Sequence, residues 1–330
     1  MKDLLVWVLA DDRPGNVNQA INLAKSLEVT YKIKHITYNK FSQLPNLILK
    51  KSLFFISKNS RESLIKDHKK PDIIISAGRK TAAISHYLKN NLGKKIFNIS
   101  IMRPQINISN FNLIIAPFHD NLKAGNVISI PGAINNIDVN LAKAQYQKFS
   151  QIFAKNHQNI SLFLGGPSKN SNFNEASAKE IAICINKICN QENAKLLIST
   201  SRRTTNQIIS QFKQNLNCNY QIFPFDKNKD KDPYLALLYK SNYTIISGDS
   251  ISIISEACFF DNLVYVYSNS KICSKKHLKF HQSLSQKKYL KLIDNDCTTL
   301  EQYQKKPMQA DTNIAFKIRA KISEFFKFFI

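Results

Sequence analysis

The chain alternates between short apolar runs and longer amphipathic stretches. Each run is rich in β-branched residues and ends in a polar or glycine-containing turn, after which a helical stretch begins. In the first half the runs are residues 4–9, 32–38, 72–76, 96–99, 112–116 and 127–130. Strands that alternate with helices predict a parallel sheet with right-handed crossovers.

The pattern restarts after a long polar helical stretch at about residues 138–157. The second series of runs comprises residues 160–164, 195–199, 220–223, 243–247 and 264–267. The restart predicts two sheets, and therefore an α/β protein of two Rossmann-like domains, residues 1–150 and 151–308. Residues 309–330 form a predicted amphipathic helix, which we expect to pack back on the N-terminal domain.

Composition is that of an ordinary globular protein. The 330 residues are 43% hydrophobic and 21% charged, which is too apolar for a disordered chain. No run of 18 apolar residues occurs, and the run at 4–9 is shorter than the core of a signal peptide. The six cysteines form no C-x-x-C pair, which indicates reduced thiols and neither a disulfide framework nor a zinc site. We therefore expect a cytoplasmic protein.

The net charge of +24 allows three interpretations. The first is a compositional drift toward Lys, Asn and Ile. The second is attraction to an anionic phospholipid surface, which would place the protein at the periphery of the inner membrane. The third is nucleic acid, but the chain has no zinc finger, no RNP sequence and no stripe of interleaved aromatic and basic residues. We expect no nucleic-acid partner, and the sequence leaves the oligomeric state open.

Three loops of the first domain follow predicted strands and carry polar side chains. They contribute Asp12, Arg13, Gly15, Asn16 and Gln19, then Gly78 and Arg79, then His119 with Asp120. Ligands bind beyond the carboxyl ends of parallel strands, where a histidine can act as a base and a glycine lets the backbone approach a ligand. The alternatives are a capped turn, a helix start with exposed cations and a surface histidine.

Three loops of the second domain are more specific. Their residues are Gly165, Gly166, Pro167, Ser168 and Lys169 in the first, Ser201, Arg202, Arg203 and Thr204 in the second, and Gly248, Asp249, Ser250, Ser255 and Glu256 in the third. Glycines with hydroxyl and cationic donors suit a diphosphate, and the carboxylate of Glu256 suits the two hydroxyls of a ribose. No G-x-G-x-x-G motif occurs, so a nicotinamide cofactor is not indicated. Each loop alone could be a helix cap.

Two further features carry less weight. His277 and His281 are spaced i,i+4, but the Glu of H-E-x-x-H and a further ligand are missing, so no metal site is expected. The tail from residue 318 to 330 is basic and aromatic, which fits either membrane contact or a helix that packs back on the domains.

Taken together, these motifs resemble the mitochondrial-fission "elongated mitochondria" family. The resemblance covers about residues 4–285 and rests on short motifs in the family's order: Asp12-Arg13-Pro14-Gly15 with Gln19, Ser76-Ala77-Gly78-Arg79, Ala116-Pro117 with His119-Asp120, Gly165-Gly166-Pro167-Ser168-Lys169, Thr200-Ser201-Arg202-Arg203-Thr204, Gly248-Asp249-Ser250 with Ser255-Glu256-Ala257, and Lys276-His277 with Phe280-His281. The chain departs from the family pattern at Asp261-Asn262-Leu263, at 287–290, and after Lys169, where a tryptophan is missing.

The resemblance implies a GT-B-like architecture, with two domains facing a central cleft, as in nucleotide-sugar glycosyltransferases and UDP-N-acetylglucosamine 2-epimerases. We expect a glycosyltransferase that uses a nucleotide diphosphate sugar, with a UDP-sugar favoured and no tightly bound cofactor or metal. The second-domain loop residues named above would bind the nucleotide. His119 or Asp12 would act as the base, and Arg13, Gly15, Asn16, Gln19, Gly78 and Arg79 would line the acceptor side.

The acceptor expected under this interpretation is a cell-envelope or lipid-linked molecule. Two alternatives stay open. One is a non-catalytic peripheral membrane scaffold, and the other is a nucleotide-sugar epimerase.

Overall fold

The computed structural model describes residues 4–93, 95–135, 137–168, 171–228, 230–306, 308 and 314–327. The chain divides into two compact units. The first unit is Met1–Asn136 together with Ala310–Ile330, and the second is Ile137–Gln309. No helix among the described residues is long and apolar enough to cross a membrane.

The first unit is built around a six-stranded parallel sheet. Its strands are β1 Leu5–Ala10, β2 Thr30–His35, β3 Ile73–Ala77, β4 Phe97–Ile101, β5 Leu113–Pro117 and β6 Val127–Ile130, in the order β2-β1-β3-β4-β5-β6. Its helices are α1 Pro14–Ser26, α2 Asn46–Leu49, α3 Lys58–Ile65, α4 Arg79–Asn91 and, from the end of the chain, α11 Ile314–Phe326. Because β2 and β3 lie on opposite sides of β1, the strand order reverses there.

Apolar layers cover both faces of this sheet. Val6 and Val8 of β1 point into one core with α1, whereas Trp7 and Leu9 point into the opposite core. Successive side chains of a strand alternate between faces, so a strand buried on both sides must be apolar throughout. This is why the strand pattern in the sequence is a continuous run.

The C-terminal helix belongs to the first unit, as expected. Ile318 and Ile322, one helical turn apart, are fully buried in the core that contains β1 and β3. Arg319 donates a hydrogen bond to the Ser26 carbonyl at 2.7 Å, and the rings of Phe97 and Phe325 meet edge to face at 5.2 Å. The amphipathic pattern thus reflects packing on the sheet.

Ile322→Ala tests this packing. The substitution should lower the free energy of unfolding of the first unit by about 2–4 kcal/mol, because it removes buried methyl groups and leaves a cavity. Trp7 is fully buried in this unit and is the only tryptophan of the chain, so its fluorescence during urea unfolding reports the change. Phe316→Ala, at a position of the same helix that is 61% exposed, is the matched control and should be nearly neutral. Equal effects would contradict the assignment.

The second unit repeats the architecture with a different strand order. Its strands are β7 Gln158–Leu164, β8 Ala194–Thr200, β9 Tyr220–Phe223, β10 Tyr243–Ile246, β11 Leu263–Tyr267 and β12 Lys291–Ile293, all parallel, in the order β12-β11-β10-β7-β8-β9. Its helices are α5 Val139–Lys148, α6 Glu175–Gln191, α7 Asn206–Asn215, α8 Tyr234–Lys240, α9 Ile251–Ala257 and α10 Lys275–Gln286. The strand order reverses at β7, which lies between β8 and β10.

Helix α5 is part of this second unit. Gln145 of α5 accepts a hydrogen bond from the Leu235 backbone N–H at 3.2 Å, and the rings of Tyr146 and Tyr239 lie 6.1 Å apart. These contacts attach α5 to α8, so residues 137–150 pack with the sheet that follows them in sequence.

Candidate functional site

Three loops meet at one edge of the second sheet. Parallel pairing of β8, β7 and β10 brings the residues after Thr200, Leu164 and Ile246 side by side. This is also the point where the strand order reverses, and open parallel sheets bind their ligands in such places. The strand order of the sheet thus brings the Gly165, Ser201 and Gly248 loops together, although about 80 residues of sequence separate Gly165 from Gly248.

The carboxylate of Asp249 connects these loops. It is fully buried and accepts hydrogen bonds from the Gly166 backbone N–H at 3.0 Å and from the Ser247 hydroxyl at 2.5 Å. Arg203 completes the set, with its guanidinium 2.8 Å from Asp249 Oδ2. Arg203 also donates to the Gly166 carbonyl. One ion pair, of which the carboxylate is buried, therefore connects all three loops.

The glycines make room for groups of the protein itself. A Cβ on Gly165 would lie 1.9 Å from Asp249 Oδ2, and a Cβ on Gly166 would lie 2.1 Å from the Arg203 carbonyl oxygen. Gly248 has a φ of +83°, which favours glycine, and a Cβ there would lie 2.3 Å from the Tyr267 carbonyl oxygen. Close packing of the loops, and not only approach of a ligand, accounts for these three residues.

The hydroxyl groups of the β8 loop also bind the first glycine. Ser201 Oγ donates to the Gly165 carbonyl at 3.1 Å, and Thr204 Oγ1 donates to the same oxygen at 2.5 Å. Arg202, the neighbour of Arg203, is exposed. Only one of the two arginines is thus built into the loops, and the other extends toward solvent.

Helix α9 carries the remaining polar groups of the site. Ser250 caps it by accepting a hydrogen bond from the Ile253 N–H, and Ser255 donates to the Ile251 carbonyl at 2.7 Å. Glu256 accepts a hydrogen bond from the hydroxyl of half-buried Tyr234 at 2.7 Å. Burial, and then the nearby Glu256 carboxylate, raise the pKa of Tyr234.

The loop after β7 ends at the surface. Pro167 and Ser168 are exposed, and Ser168 pairs with Ser171 through backbone hydrogen bonds. Lys169 lies outside the described residues.

Of the two histidines of α10, His281 lies against Gly248, and the His277 ring stacks on the His281 ring with centroids 6.4 Å apart. His281 is fully buried, and its Nδ1 lies 2.9 Å from Ser268 Oγ. Its Cε1 would be 3.3 Å from a Cβ on Gly248. Burial, followed by the nearby His277 ring, lowers the pKa of His281 to about 4. Among the described residues no cluster of three or more His, Cys, Asp or Glu suits a metal ion.

In the first unit, the loops after β1 and β3 contact each other. Asn16 Nδ2 donates to the Ala77 carbonyl at 3.2 Å, and a Cβ on Gly78, whose φ is +87°, would lie 2.7 Å from that nitrogen. Gln19 donates to the Gly15 carbonyl and accepts from the Ile134 N–H. Asn16 and Gln19 thus connect loops of the unit.

Arg79 points toward the protein as well. Its guanidinium donates to the Leu44 carbonyl at 2.7 Å and to the Ser42 carbonyl at 3.1 Å. These bonds hold the segment between β2 and α3 against the start of α4.

Asp12 and Arg13 are exposed, while Asp11 is half-buried beside them. The Tyr38 hydroxyl donates to Asp11 at 3.4 Å, and Lys80 Nζ lies 4.3 Å from the Tyr38 ring centre. Burial raises the pKa of Asp11 and lowers that of Lys80. Perturbed carboxyl and amino groups at a strand-order reversal are typical of functional sites.

Asp11 and Tyr38 were not among the candidate residues expected from the sequence. A usable signal for Asp11 was present, since it is the first residue after β1, whereas Asp12 lies one position further into the loop. For Tyr38 and Lys80 no sequence signal shows that they meet, because the pairing of β1 with β2 and β3 brings them together.

His119 and Asp120 lie in a single 3₁₀ turn, Phe118–Asp120, after β5. His119 Nε2 is 3.6 Å from Asp120 Oδ1, and the imidazole is only 4% exposed. The neighbouring residues do approach each other, but the ring is largely enclosed by the protein.

A family model described as mitochondrial fission ELM1 matches residues 14–322. The chain belongs to this family. An uncharacterised protein of Rickettsia prowazekii is 31% identical over 97% of this chain and 99% of its own length. The mitochondrial fission protein ELM1 of Arabidopsis thaliana is 22% identical to this chain. The match covers 77% of this chain and 64% of the plant protein's length. The family expectation drawn from the motifs is confirmed.

Solved structures show what fold this ELM1-family chain has. The UDP-GlcNAc 2-epimerase of Neisseria meningitidis, solved bound to UDP-GlcNAc, matches 96% of this chain and 100% of its own, with a TM-score of 0.53 and 15% identity. The glycosyltransferase SnogD of Streptomyces nogalater matches 98% and 95%, with a TM-score of 0.53 and 10% identity. The α/β fold of two parallel sheets is thus of the GT-B type, as the resemblance implied.

The ion pair at the second-unit loops predicts a contrast between adjacent arginines. Arg203→Ala should destabilise the second unit by roughly 3 kcal/mol, because it leaves the Asp249 carboxylate buried without its cation. Arg202→Ala, at an exposed neighbour, should change stability by less than about 0.5 kcal/mol. Urea unfolding followed by far-UV circular dichroism should show the loss, while Trp7 fluorescence, which reports the first unit, should not shift. Equal effects of the two substitutions would argue against the ion pair.

The buried His281 predicts a stability that falls with acid. Its pKa is lower in the folded chain than the ordinary value of 6.5, so the unfolded chain binds the proton more tightly. The corresponding stabilisation is present above pH 6.5 and is lost as pH falls toward 4. Between pH 6.5 and 5 this amounts to about 2 kcal/mol. In His281→Asn, which retains an acceptor for Ser268, that part of the pH dependence should disappear from urea unfolding curves. An unchanged pH dependence would contradict it.

Proposed function

We propose that this protein is a glycosyltransferase that binds a nucleotide diphosphate sugar at the loops after β8, β7 and β10. The observation that carries the proposal is the junction of these loops at the strand-order reversal, fixed by Arg203 and Asp249. A rigid, polar edge of this kind is preorganised, so a ligand need not spend binding energy on ordering it. A UDP-sugar is the donor we favour.

Each part of the ligand has a suitable group in this proposal. Glu256 would accept hydrogen bonds from the ribose hydroxyls, in an orientation that Tyr234 helps to fix. Exposed Arg202 and the Pro167–Ser168 turn would meet the diphosphate, because a guanidinium matches phosphate geometry. The residues that already bond within the protein would hold the loops in place without contacting the ligand; these are Arg203, Ser201, Thr204 and Asp249. No resident metal is invoked, since arginine and backbone donors can stabilise a leaving diphosphate.

The first unit would supply the acceptor side and the base. Half-buried Asp11 is the favoured base, since burial raises the pKa of its carboxyl and so matches it better to neutral pH. Exposed Asp12, the next residue, is the second carboxyl proposed for this role. His119 stays a candidate that requires its ring to become accessible. Arg13 would attract an anionic acceptor, and Gly15, Asn16, Gln19, Gly78 and Arg79 would shape the loops around it. The proposed acceptor is a cell-envelope or lipid-linked molecule at the cytoplasmic face of the inner membrane.

Calorimetric titration with UDP and UDP-sugars tests the proposal. The wild-type chain should bind at least one of them, and Glu256→Gln should weaken binding by roughly 10- to 100-fold, as expected on losing charge-assisted hydrogen bonds. Glu301→Gln, at an exposed surface pair with Lys291, is the matched control and should bind like the wild type. Absence of binding by the wild type, or equal binding by Glu256→Gln, would overturn it.

An epimerase is the second candidate, since epimerases of this fold are among the similar structures. An epimerase would interconvert two sugar nucleotides without any acceptor, whereas a glycosyltransferase would release the nucleotide diphosphate only when an acceptor is added. Analysis of the products of a bound sugar nucleotide separates the two.

A further inference from the structure

A segment of the first unit presents apolar side chains to solvent. Between β2 and α3 the chain forms a short 3₁₀ helix, Lys40–Gln43, and the single-turn helix α2, Asn46–Leu49. Phe41, Leu47 and Ile48 are 47%, 68% and 46% exposed. We call residues 40–51 the apolar–basic segment. Large apolar side chains clustered in one exposed segment mark a contact surface more often than single ones do.

The segment is firmly attached to the unit. Ser42 of the 3₁₀ helix and Asn46 and Leu49 of α2 are buried, so these three side chains face the protein. Asn46 Nδ2 donates to the carbonyls of Arg79 and Pro104 at 2.9 and 2.8 Å.

Side chains at the start of α4 also bind the segment. Arg79 binds the carbonyls of Ser42 and Leu44, and Lys80 Nζ lies 3.2 Å from the Ser42 hydroxyl. The exposed residues are therefore presented from a fixed backbone and are not the product of a loosely packed loop.

The stretch of sequence that contains the segment is basic. From residue 29 to residue 61 the chain has six lysines, one arginine and no acidic residue. Lys32 and Lys34 in this stretch pair with Asp67. Lys40 and Lys50–Lys51 stand at the two ends of the apolar–basic segment, and Lys40 Nζ lies 5.5 Å from the Phe41 ring centre.

We infer that the apolar–basic segment docks on an anionic lipid bilayer, with Phe41, Leu47 and Ile48 entering the headgroup region and the lysines meeting lipid phosphates. A bilayer surface offers both partners at once, an apolar phase and fixed negative charge. Nucleic acid offers the charge but no apolar phase for Leu47 and Ile48. The inference extends the proposed action on a lipid-linked acceptor but uses first-unit residues of its own, so vesicle binding and nucleotide titration can fail independently.

Vesicle sedimentation tests the docking. The wild-type chain should bind vesicles of phosphatidylcholine mixed with phosphatidylglycerol, and should bind pure phosphatidylcholine much less. The triple variant Phe41→Ser/Leu47→Ser/Ile48→Ser should lose at least about tenfold in vesicle affinity, because the inserted apolar area is gone. The matched control Ile183→Ser/Phe225→Ser/Phe316→Ser removes three exposed apolar residues elsewhere and should bind like the wild type. Far-UV circular dichroism verifies that each variant is folded, and Trp7 fluorescence verifies the first unit separately.

Two further measurements complete the test. Lys50→Gln/Lys51→Gln should weaken binding to the anionic vesicles by roughly tenfold or more and leave the weak binding to phosphatidylcholine unchanged. Leu47→Trp should show a blue shift of its emission on adding anionic vesicles, whereas Phe316→Trp should not. Wild-type binding that is absent, insensitive to phosphatidylglycerol or retained in the triple variant would overturn the inference. So would a polynucleotide that binds the wild type as strongly as the vesicles do and loses affinity in the same triple variant.

Discussion

The buried carboxylate of Asp249 is the constraint on which the second unit's loop edge depends. It cannot be buried alone, since an uncompensated charge in a protein interior is strongly unfavourable. Arg203, Ser247 and the Gly166 backbone supply its partners from all three loops. This requirement explains the two successive glycines, because any side chain at Gly165 or Gly166 would overlap Asp249 or the Arg203 backbone.

The same constraint divides the polar residues of the site into two groups. Arg203, Ser201, Thr204 and Asp249 satisfy one another, which makes the loop edge rigid before any ligand arrives. Three residues of the loops and α9 lie outside this network of hydrogen bonds: Arg202, Ser168 and Glu256. The proposed contacts with a nucleotide sugar depend on them. The first unit follows the same principle, since Arg79, Asn16 and Gln19 serve its loops and the apolar–basic segment, while Asp12 and Arg13 face solvent.

Much of the fold could be predicted from local pattern. All eleven apolar runs overlap strands of the structure, and the restart of the pattern marks the second sheet. The strand that escaped prediction is β12, Lys291–Ile293, because three residues with mixed burial leave no periodic signal. The helix α5 could not be placed from sequence either, since a mostly polar helix between two sheets could attach to either, and its attachment depends on side-chain contacts with α8.

The sequence by itself determined the α/β class, the two sheets, the family and the loops that could carry chemistry, because these follow from apolar periodicity and from short motifs at strand ends. Only the tertiary structure decided which partner within the protein each loop residue has. A glycine, an arginine and a hydroxyl suit a diphosphate and an internal ion pair equally well, and the choice depends on which side chains the strand order brings within hydrogen-bond distance. Strand order is a property of the folded sheet, so the partnership of Arg203 with Asp249, like that of Asp11 with Tyr38, could not be seen along the chain.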